Sequence, residues 1–277
     1  MLHIATVHFG SPRWIPIQTR ELKRRLRVPF TTWASLEGIP SSYGRYFDRV
    51  IEQGGPHADK LNHLGIEICH VADEGDLVMF LDGDAFPVAD PWPLISSGLK
   101  EAPLLAVRRS ENDGDPQPHP CFCVTTAGTW QSLPGDWTKG FLWKDEQGAP
   151  RTDVGANLMR QLELTGTPWT PVPRTNRRNP HPLFFGVYGD AIYHHGAGFR
   201  SPVSRSDTRG LKPIPDPRLP LVGLLAKRIG KLRRQAQALA IARRNSKLSE
   251  GIFARIERDD PGWLDELMQP DLGGPRG

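Results

Sequence analysis

The feature that most constrains the fold of this chain is a short apolar run that ends in two aspartates. Residues 77–81 (Leu-Val-Met-Phe-Leu) are continuously apolar and are followed directly by Asp82, Gly83 and Asp84. A run of this length predicts a fully buried strand, because buried helices need about ten residues or more. In an extended segment, residues two apart point to the same side, so both carboxylates can converge on one point. Gly83 allows a ligand or another backbone to approach closely.

Two neighbouring carboxylates repel each other unless a positive charge lies between them. A hard divalent cation, Mg²⁺ or Mn²⁺, meets this need, because such ions prefer oxygen ligands and are often shared with substrate phosphates. The alternative interpretation is a polar loop after a core strand, since Asp and Gly are common turn formers. The pattern of the surrounding chain is needed to decide between the two.

Alternating strand and helix patterns place this run in an α/β fold. Residues 3–8 are rich in strand formers, residues 14–26 have helical spacing of apolar side chains, and residues 30–36 return to strand chemistry. This βαβ pattern predicts a mainly parallel sheet. A second helix is predicted at about 57–71, after an irregular stretch at 37–56. Both aspartates therefore follow the carboxyl end of a strand, which is where open α/β sheets bind ligands.

Composition indicates an ordinary globular chain. The 277 residues are 38% hydrophobic with a formal net charge of +4, which suits one large domain or a domain with an appendage. No stretch approaches the roughly 20 apolar residues that cross a bilayer, no signal peptide is expected, and no glycine-rich nucleotide-binding fingerprint occurs. Three cysteines without a C-x-x-C pair are interpreted as buried thiols, with Cys121 and Cys123 on one face of a strand. A cytoplasmic location is therefore expected.

Three features in this order resemble the GT-A glycosyltransferases: the βαβ start, the strand that ends in Asp-Gly-Asp, and a late pair of histidines after a strand. The stretches that carry the resemblance are Phe80–Pro87 and Tyr193–Arg200, and it covers roughly residues 1–205. Members of this family move a sugar from a nucleoside-diphosphate sugar to an acceptor. The resemblance implies a hexosyltransferase-type enzyme with a Rossmann-like, mostly parallel sheet flanked by helices.

The same resemblance implies a metal site. Asp84 would be a direct ligand of Mn²⁺ or Mg²⁺, Asp82 would reach the metal or the ribose, and His194 or His195 would complete the ligand set. An imidazole ligand favours Mn²⁺ over Mg²⁺. The cation would act as a Lewis acid on the diphosphate leaving group. The alternative for the histidine pair is packing or capping at the end of a strand.

The other candidate site residues have open alternatives. Asp153 is the candidate general base for the acceptor hydroxyl in an inverting reaction, and a helix N-cap is its rival role. Possible substitutes for it are Asp113, Asp115, Asp136, Asp145 and Glu146. Arg108 and Arg109 are candidates for contacts with phosphate or sugar, with a solvated basic turn as the alternative. Arg200 and the loop 174–178 are candidates for closing over the diphosphate.

A basic extension follows the predicted catalytic domain of residues 1–209. Residues 210–220 contain four prolines and predict a stiff linker, and residues 221–277 predict a helical extension. Between 222 and 258 there are ten Lys or Arg and two Glu. Such a helix can pack on the catalytic domain, form a homodimer with a second copy, or lie on an anionic membrane surface. In the last case, the protein would be peripheral on the inner face of the membrane. No nucleic-acid motif accompanies the charge, so no nucleic acid is expected as a partner.

Two functions compete on these observations. The leading hypothesis is a metal-dependent glycosyltransferase with a nucleoside-diphosphate sugar as donor and an unidentified glycan, lipid or small molecule as acceptor. The alternative is a non-catalytic nucleotide-binding or scaffolding protein with a basic helical tail. A nucleotidyltransferase ranks below both, because the glycine-rich basic loop typical of its N-terminal region is missing.

Overall fold

The computed structural model of the protein describes residues 1–145, 147–209, 211 and 222–269. The described residues divide into two compact units, one of residues 1–199 with 264–269 and one of residues 200–263. Glu146 and nearly all of the predicted linker at 210–220 lie outside the described residues. The domain boundaries given above stay a prediction.

A seven-stranded, mostly parallel sheet forms the centre of the first unit. The strands of the protein are β1 (Leu2–Phe9), β2 (Phe30–Glu37), β3 (Arg49–Ile51), β4 (Leu77–Asp82), β5 (Ala85–Pro87), β6 (Leu104–Arg108), β7 (Pro118–Thr126), β8 (Trp143–Lys144), β9 (Pro150–Arg151), β10 (Thr170–Val172), β11 (Gly186–Tyr188) and β12 (Ile192–His194). The large sheet has the order β10-β6-β7-β4-β1-β2-β3. Its neighbouring strands run parallel except where β7 pairs with β4 and β6.

Helices cover both faces of this sheet. The helices of the protein are α1 (Ile15–Arg25), α2 (His57–Cys69), α3 (Trp92–Glu101), α4 (Ala127–Ser132), α5 (Ala156–Thr165), α6 (Arg205–Arg209), α7 (Val222–Glu257) and α8 (Gly262–Met268). Side chains of α2, α4 and α5 pack on one face, and those of α1 and α3 pack on the other. Side chains along β1 point alternately to the two faces of the sheet. Ala5 packs in the core with α2, α4 and α5, and Ile4 packs in the core with α1 and α3. Each large apolar side chain buried in this way contributes about 1.5–3 kcal/mol.

The predicted fold class is confirmed, and two details of the prediction are wrong. Residues 37–56 are not irregular throughout, because they contain a 3-10 helix (Ser41–Tyr46) and β3, which pairs in parallel with β2. Cys121 and Cys123 are buried and free, as expected, but they lie in the cores on opposite faces of the sheet. The pairing register of β6 with β7 shifts after Ala106: Ala106 pairs with Cys123 and Val107 pairs with His119, so Cys121 lies in the irregular stretch between these pairs.

The order of the strands reverses at the β1/β4 pair. The chain steps from β1 to β2 and β3 towards one edge of the sheet, and β4 then returns to the other side of β1. In open α/β sheets, ligands bind outside the carboxyl ends of the strands at such a reversal. Val7, near the carboxyl end of β1, lies opposite Asp82 at the end of β4. The fold therefore places the two aspartates at the position that its topology favours for a ligand.

The second unit contains the long helix α7 that the sequence predicts. Its C-terminal half has a buried side, formed by Asn245, Ser249, Phe253 and Ile256. Asn245 Nδ2 donates to the carbonyl oxygen of Pro202 over 2.8 Å. None of the described helices combines the length and the apolarity that crossing a bilayer requires.

Candidate functional site

A small antiparallel sheet joins the Asp-Gly-Asp turn to the late histidines. Strand β5 follows the turn directly and pairs with β12, so that Ala85 lies opposite His194. The backbone N–H of His195 donates to the carbonyl oxygen of Asp84 over 3.0 Å. The hydrogen bonds of this sheet therefore fix two distant parts of the chain side by side.

Three side chains at this point form a compact set of oxygen and nitrogen atoms. One ligand atom from each of Asp82, Asp84 and His194 lies within 4.8 Å of the others. His194 Nε2 is 3.5 Å from Asp82 Oδ2 and 3.4 Å from Asp84 Oδ1. Asp84 and His194 are buried, and Asp82 is nearly so. Two carboxylates and one imidazole fit a divalent cation that accepts both ligand types, as Mn²⁺ does.

Asp84 is held in its ionised form. Its Oδ2 accepts a hydrogen bond from the backbone N–H of Gly198 over 2.8 Å. Burial alone would raise the pKa of Asp84, but the charge and hydrogen bond of His194, the charge of His195 and the Gly198 N–H together lower it well below its usual range. A Cβ atom at position 198 would lie 2.5 Å from the Cβ of Asp84, so a glycine is needed here.

Gly83 is required by the approach of β1. A Cβ atom at this position would lie 2.5 Å from the carbonyl oxygen of Val7 and 2.8 Å from His8 Nδ1. The expectation that Gly83 lets another backbone come close is therefore confirmed. Any side chain here would push the two aspartates away from the end of the sheet.

The side chain of a buried glutamine forms hydrogen bonds with the backbone of the same turn. Gln18 on α1 donates from Nε2 to the carbonyl oxygens of Asp82 and Ala85, each over 2.8 Å. Its Oε1 accepts from Thr6 Oγ1 over 3.1 Å and lies 3.1 Å from His8 Nε2. Burial lowers the pKa of His8 to about 4, although the Gln18 bond and the charge of Asp84 oppose this. His8 is therefore neutral at neutral pH and donates to Gln18.

Gln18 has no strong signal in the sequence, because a single polar residue in a helix is usually exposed. The signal that would have found it is its spacing from Ile15 and Leu22, which are three and four residues away and buried. Residues with this spacing lie on one face of a helix. Gln18 therefore belongs to the buried face of α1 and needs polar partners there.

The two late histidines have different environments. His194 belongs to the ligand set, whereas His195 Nδ1 lies 2.9 Å from the hydroxyl of Tyr193 and its ring packs against Trp14, with 4.6 Å between ring centroids. A further histidine, which the sequence analysis did not select, contacts the set: His57 Nε2 lies 3.0 Å from Asp82 Oδ1. Burial would lower the pKa of His57, but the hydrogen bond and charge of Asp82 raise it overall.

The predicted donor-binding arginines lie in different places. Arg108 is exposed at the carboxyl end of β6, on the same edge of the sheet as Asp82. Arg109 is buried, and its Nη2 donates to the carbonyl oxygen of Leu183 over 2.8 Å. Arg200 belongs to the second unit. A role of these three residues in donor binding stays a prediction.

The basic loop 174–178 makes contacts within the protein. Arg174 Nη2 donates to the carbonyl oxygen of Phe184 over 2.9 Å, and its Nε donates to Asn176 Oδ1 over 2.8 Å. Arg178 Nη1 lies 2.8 Å from Glu266 Oε1. The structure therefore shows this loop tied to its neighbours, and its closure over a diphosphate stays a prediction.

Asp153 does not cap a helix with its side chain. Helix α5 begins at Ala156, and its N-cap is Gly155, which has a φ of 99°. A Cβ atom at position 155 would lie 2.1 Å from the carbonyl oxygen of Pro118 at the start of β7. The N-cap interpretation of Asp153 is therefore wrong, because the cap position requires glycine. The next residue of β7, His119, has its ring 5.7 Å from that of His194.

The carboxylate of Asp153 is exposed to solvent and pairs with the ammonium group of Lys139. Its side chain is 44% exposed, and its Oδ1 lies 3.2 Å from Lys139 Nζ and accepts from the N–H of Val154 over 3.0 Å. Two of its possible substitutes are engaged in local structure. Asp136 accepts hydrogen bonds from Asn62 and Thr138. Asp145 accepts hydrogen bonds from Arg151 and from backbone N–H groups of the turn between β8 and β9.

Asp115, a further possible substitute, is buried, and its pKa is raised. Burial raises the pKa of its carboxyl to about 7, and the charge of Asp153 adds to the effect, whereas hydrogen bonds from Gln117 and Asn112 and the charge of Arg109 oppose it. Asp115 Oδ1 accepts from the N–H of Gln117 over 3.0 Å. It lies in the connection between β6 and β7, on the same edge of the sheet as Asp82.

Comparison with known proteins gives distant structural similarities only. No protein-family model matches the sequence, and no curated protein is similar to it. Among solved structures, the chain is similar to S. aureus TarS (11% identity, TM-score 0.37, 50% of this chain and 30% of that chain). It is also similar to the glycosyltransferase GlyE of Streptococcus pneumoniae TIGR4 (15%, 0.40, 61% and 44%) and to the galactosyltransferase LgtC in complex with donor and acceptor sugar analogs (10%, 0.37, 58% and 70%).

The chain thus spans less than half of the length of TarS and GlyE. GlyE is a glycosyltransferase and LgtC is a galactosyltransferase. At this level of similarity, the roles of individual residues are assigned from the geometry of this chain alone.

Replacement of Asp115 by Asn is expected to change how stability depends on pH. The raised pKa favours the protonated carboxyl in the folded protein, so stability is fully present below about pH 4 and is lost as the pH rises through about 7. A shift of this size corresponds to up to about 4 kcal/mol. Urea unfolding at pH 5 and pH 8 should show that Asp115→Asn removes this loss. The control is Asp113→Asn, and equal pH dependence of Asp115→Asn and wild type would contradict the assignment.

Proposed function

We propose that this protein is a metal-dependent glycosyltransferase that moves a sugar from a nucleoside-diphosphate sugar to an acceptor hydroxyl. The observation that carries the proposal is the convergence of Asp82, Asp84 and His194 at the carboxyl edge of the sheet, where the strand order reverses. An ion held there by oxygen and imidazole ligands can be shared with the diphosphate of a bound donor.

The three side chains of this set would hold the cation, and their chemistry favours Mn²⁺ over Mg²⁺. When bound, such a cation acts as a Lewis acid that neutralises the charge of the departing diphosphate. The protein itself contributes rigidity. Gly198 fixes the carboxylate of Asp84, and Gln18 fixes the backbone on both sides of Gly83, so that the ligands are in place before the donor arrives.

The nucleoside of the donor is proposed to lie beside the carboxyl end of β1. Phe9 ends this strand and is 51% exposed, although it is a large aromatic residue. The Nζ atom of Lys60 lies 5.2 Å from the centroid of the Phe9 ring. The same ammonium group pairs with Glu37 at the end of β2. An exposed aromatic face of this kind stacks with a nucleobase. Arg108, Arg109 and Arg200 remain proposed contacts for the phosphates or the sugar.

The acceptor is proposed to be activated by Asp153. Its carboxylate is accessible, and Gly155, two residues later, approaches the carbonyl oxygen of Pro118 at the start of β7. The next residue of β7, His119, has its ring 5.7 Å from that of His194. In an inverting reaction, this carboxylate accepts the proton of the acceptor hydroxyl as the bond to the sugar forms. A retaining reaction has no need of this base.

We further propose that the protein is cytoplasmic and lies on an anionic membrane surface through α7. The helix exposes Ile229 (42%), Leu232 (64%) and Leu239 (52%), which fall on one face by helical spacing. Its residues 228–247 contain seven Lys or Arg and no Asp or Glu. Each basic residue near an anionic surface contributes about 1 kcal/mol. A homodimer through the same face would bring like charges together, so the membrane is the favoured partner.

Asp84→Asn is expected to reduce turnover about 100-fold or more, because it removes a buried charge from the metal set while keeping the size of the side chain. The measurement is donor hydrolysis or transfer across a panel of nucleotide sugars with MnCl₂, with EDTA expected to abolish it. Asp90→Asn, an exposed aspartate on the same segment, is the control. Full activity of Asp84→Asn would refute the metal assignment, and nucleotide binding without any turnover would favour the non-catalytic alternative.

Asp153→Asn is expected to lower kcat about 100- to 10,000-fold while leaving Mn²⁺ binding and the KM for the donor near their wild-type values. The reason is that an amide cannot accept the proton of the acceptor hydroxyl. Steady-state kinetics with the donor found in the panel gives both constants. An unchanged kcat would rule out Asp153 as the base.

Wild-type protein is expected to sediment with vesicles of 30% phosphatidylglycerol in phosphatidylcholine and to stay in solution with phosphatidylcholine alone. Binding should weaken at high salt, because exposed charges are screened. Leu232→Glu should reduce the bound fraction several-fold by placing an acid on the apolar face. Leu164→Glu, which alters an equally exposed leucine on α5, is the control. Equal binding of both variants would contradict a role for α7.

A further inference from the structure

His57 holds the carboxylate oxygen of Asp82 that faces away from the metal set. Its Nε2 lies 3.0 Å from Asp82 Oδ1, whereas Asp82 Oδ2 lies 3.5 Å from His194 Nε2. A carboxylate only accepts hydrogen bonds, so Nε2 of His57 carries the hydrogen and donates it. The two oxygens of Asp82 therefore have separate partners.

This hydrogen bond matters because Asp82 lacks the support that Asp84 has. Asp84 accepts a backbone N–H from Gly198, but among the described residues the side-chain partners of Asp82 are His57 and His194. The terminal torsion of an aspartate has broad minima, so its carboxylate turns freely unless a partner fixes it. A donor on Oδ1 keeps Oδ2 directed towards the other two ligands.

His57 is well placed for this task because it belongs to a rigid element. It is the first residue of α2, and the next turn carries Lys60, whose buried ammonium pairs with Glu37 at the end of β2. Leu61 and Leu64 anchor the same helix in the core on this face of the sheet. Groups on packed helices hold their geometry more closely than groups on loops.

We propose that His57 is a positioning residue that orients Asp82 for the metal by donating from Nε2 to Oδ1. This inference rests on the proposed metal site, and it assigns to α2 a part in metal binding that the ligand set alone does not reveal. Loss of a group that hydrogen-bonds to a metal ligand typically weakens metal affinity about 10- to 100-fold. His57→Leu is therefore expected to raise the Kd for Mn²⁺ by about that factor.

The test is titration of the full chain with MnCl₂ by isothermal calorimetry. His57→Gln should restore the affinity to within about 3-fold of wild type, because its amide can donate to the same oxygen. His63→Leu, which alters another histidine on α2, should bind as wild type does. Thermal melting by circular dichroism checks that the variants are folded, and His57→Ala replaces His57→Leu if the latter is not.

The outcomes separate this inference from the proposed function. Wild-type protein that binds no Mn²⁺ would overturn the metal site itself. Wild-type binding with an unchanged Kd in His57→Leu would overturn the role of His57 alone. Equal weakening in His57→Leu and His57→Gln would mean that His57 is itself a metal ligand, which also overturns the positioning role.

Discussion

The side-chain amide of Gln18 is the contact on which the arrangement of the site depends. It donates to the carbonyl oxygens on either side of the turn at Gly83, and its own oxygen is satisfied by Thr6 and His8. A buried polar group left unsatisfied costs about 1–3 kcal/mol, so these hydrogen bonds stabilise the turn. A single residue of α1 thus ties β1, β4 and β5 together. The position of both aspartates follows from this clamp and from the absence of a side chain at Gly83.

Electrostatics divides the buried carboxyl groups of this edge into two kinds. Asp84 stays ionised because His194, His195 and the Gly198 N–H outweigh the effect of burial on its pKa. Asp115 is also buried, but the neighbouring charge of Asp153 adds to desolvation and the pKa rises to about 7. Environments that push carboxyl pKa values apart in this way distinguish charged ligands from groups that exchange protons near neutral pH. The same edge of the sheet therefore supplies both kinds of chemistry.

The sequence predicted what depends on local pattern, and it missed what depends on contacts between distant segments. The apolar run 77–81, the helices α1 and α2 and the Asp82–Asp84–His194 set follow from periodicity, turn chemistry and the family resemblance. Gln18 and His57 have no such signal, since their partners are set by how α1 and α2 pack on the sheet. The shift in register that separates Cys121 from Cys123 arises from pairing with β6, which no pattern within β7 reveals. The cap of α5 was misassigned for a related reason, because the close approach of Pro118 selects Gly155.

The pairing of β5 with β12 also sets the order in which the molecule can be completed. Strands β1, β2 and β4 and helices α1 and α2 all lie within the first 82 residues, whereas β12 spans Ile192–His194. A chain emerging from the ribosome can therefore form part of the central sheet, with Asp82 and Asp84 in place, before His194 has been synthesised. Closing the long loop between β5 and β12 is slow compared with the formation of a local helix. The nascent protein consequently passes through a period in which part of its sheet exists and the set of Asp82, Asp84 and His194 does not.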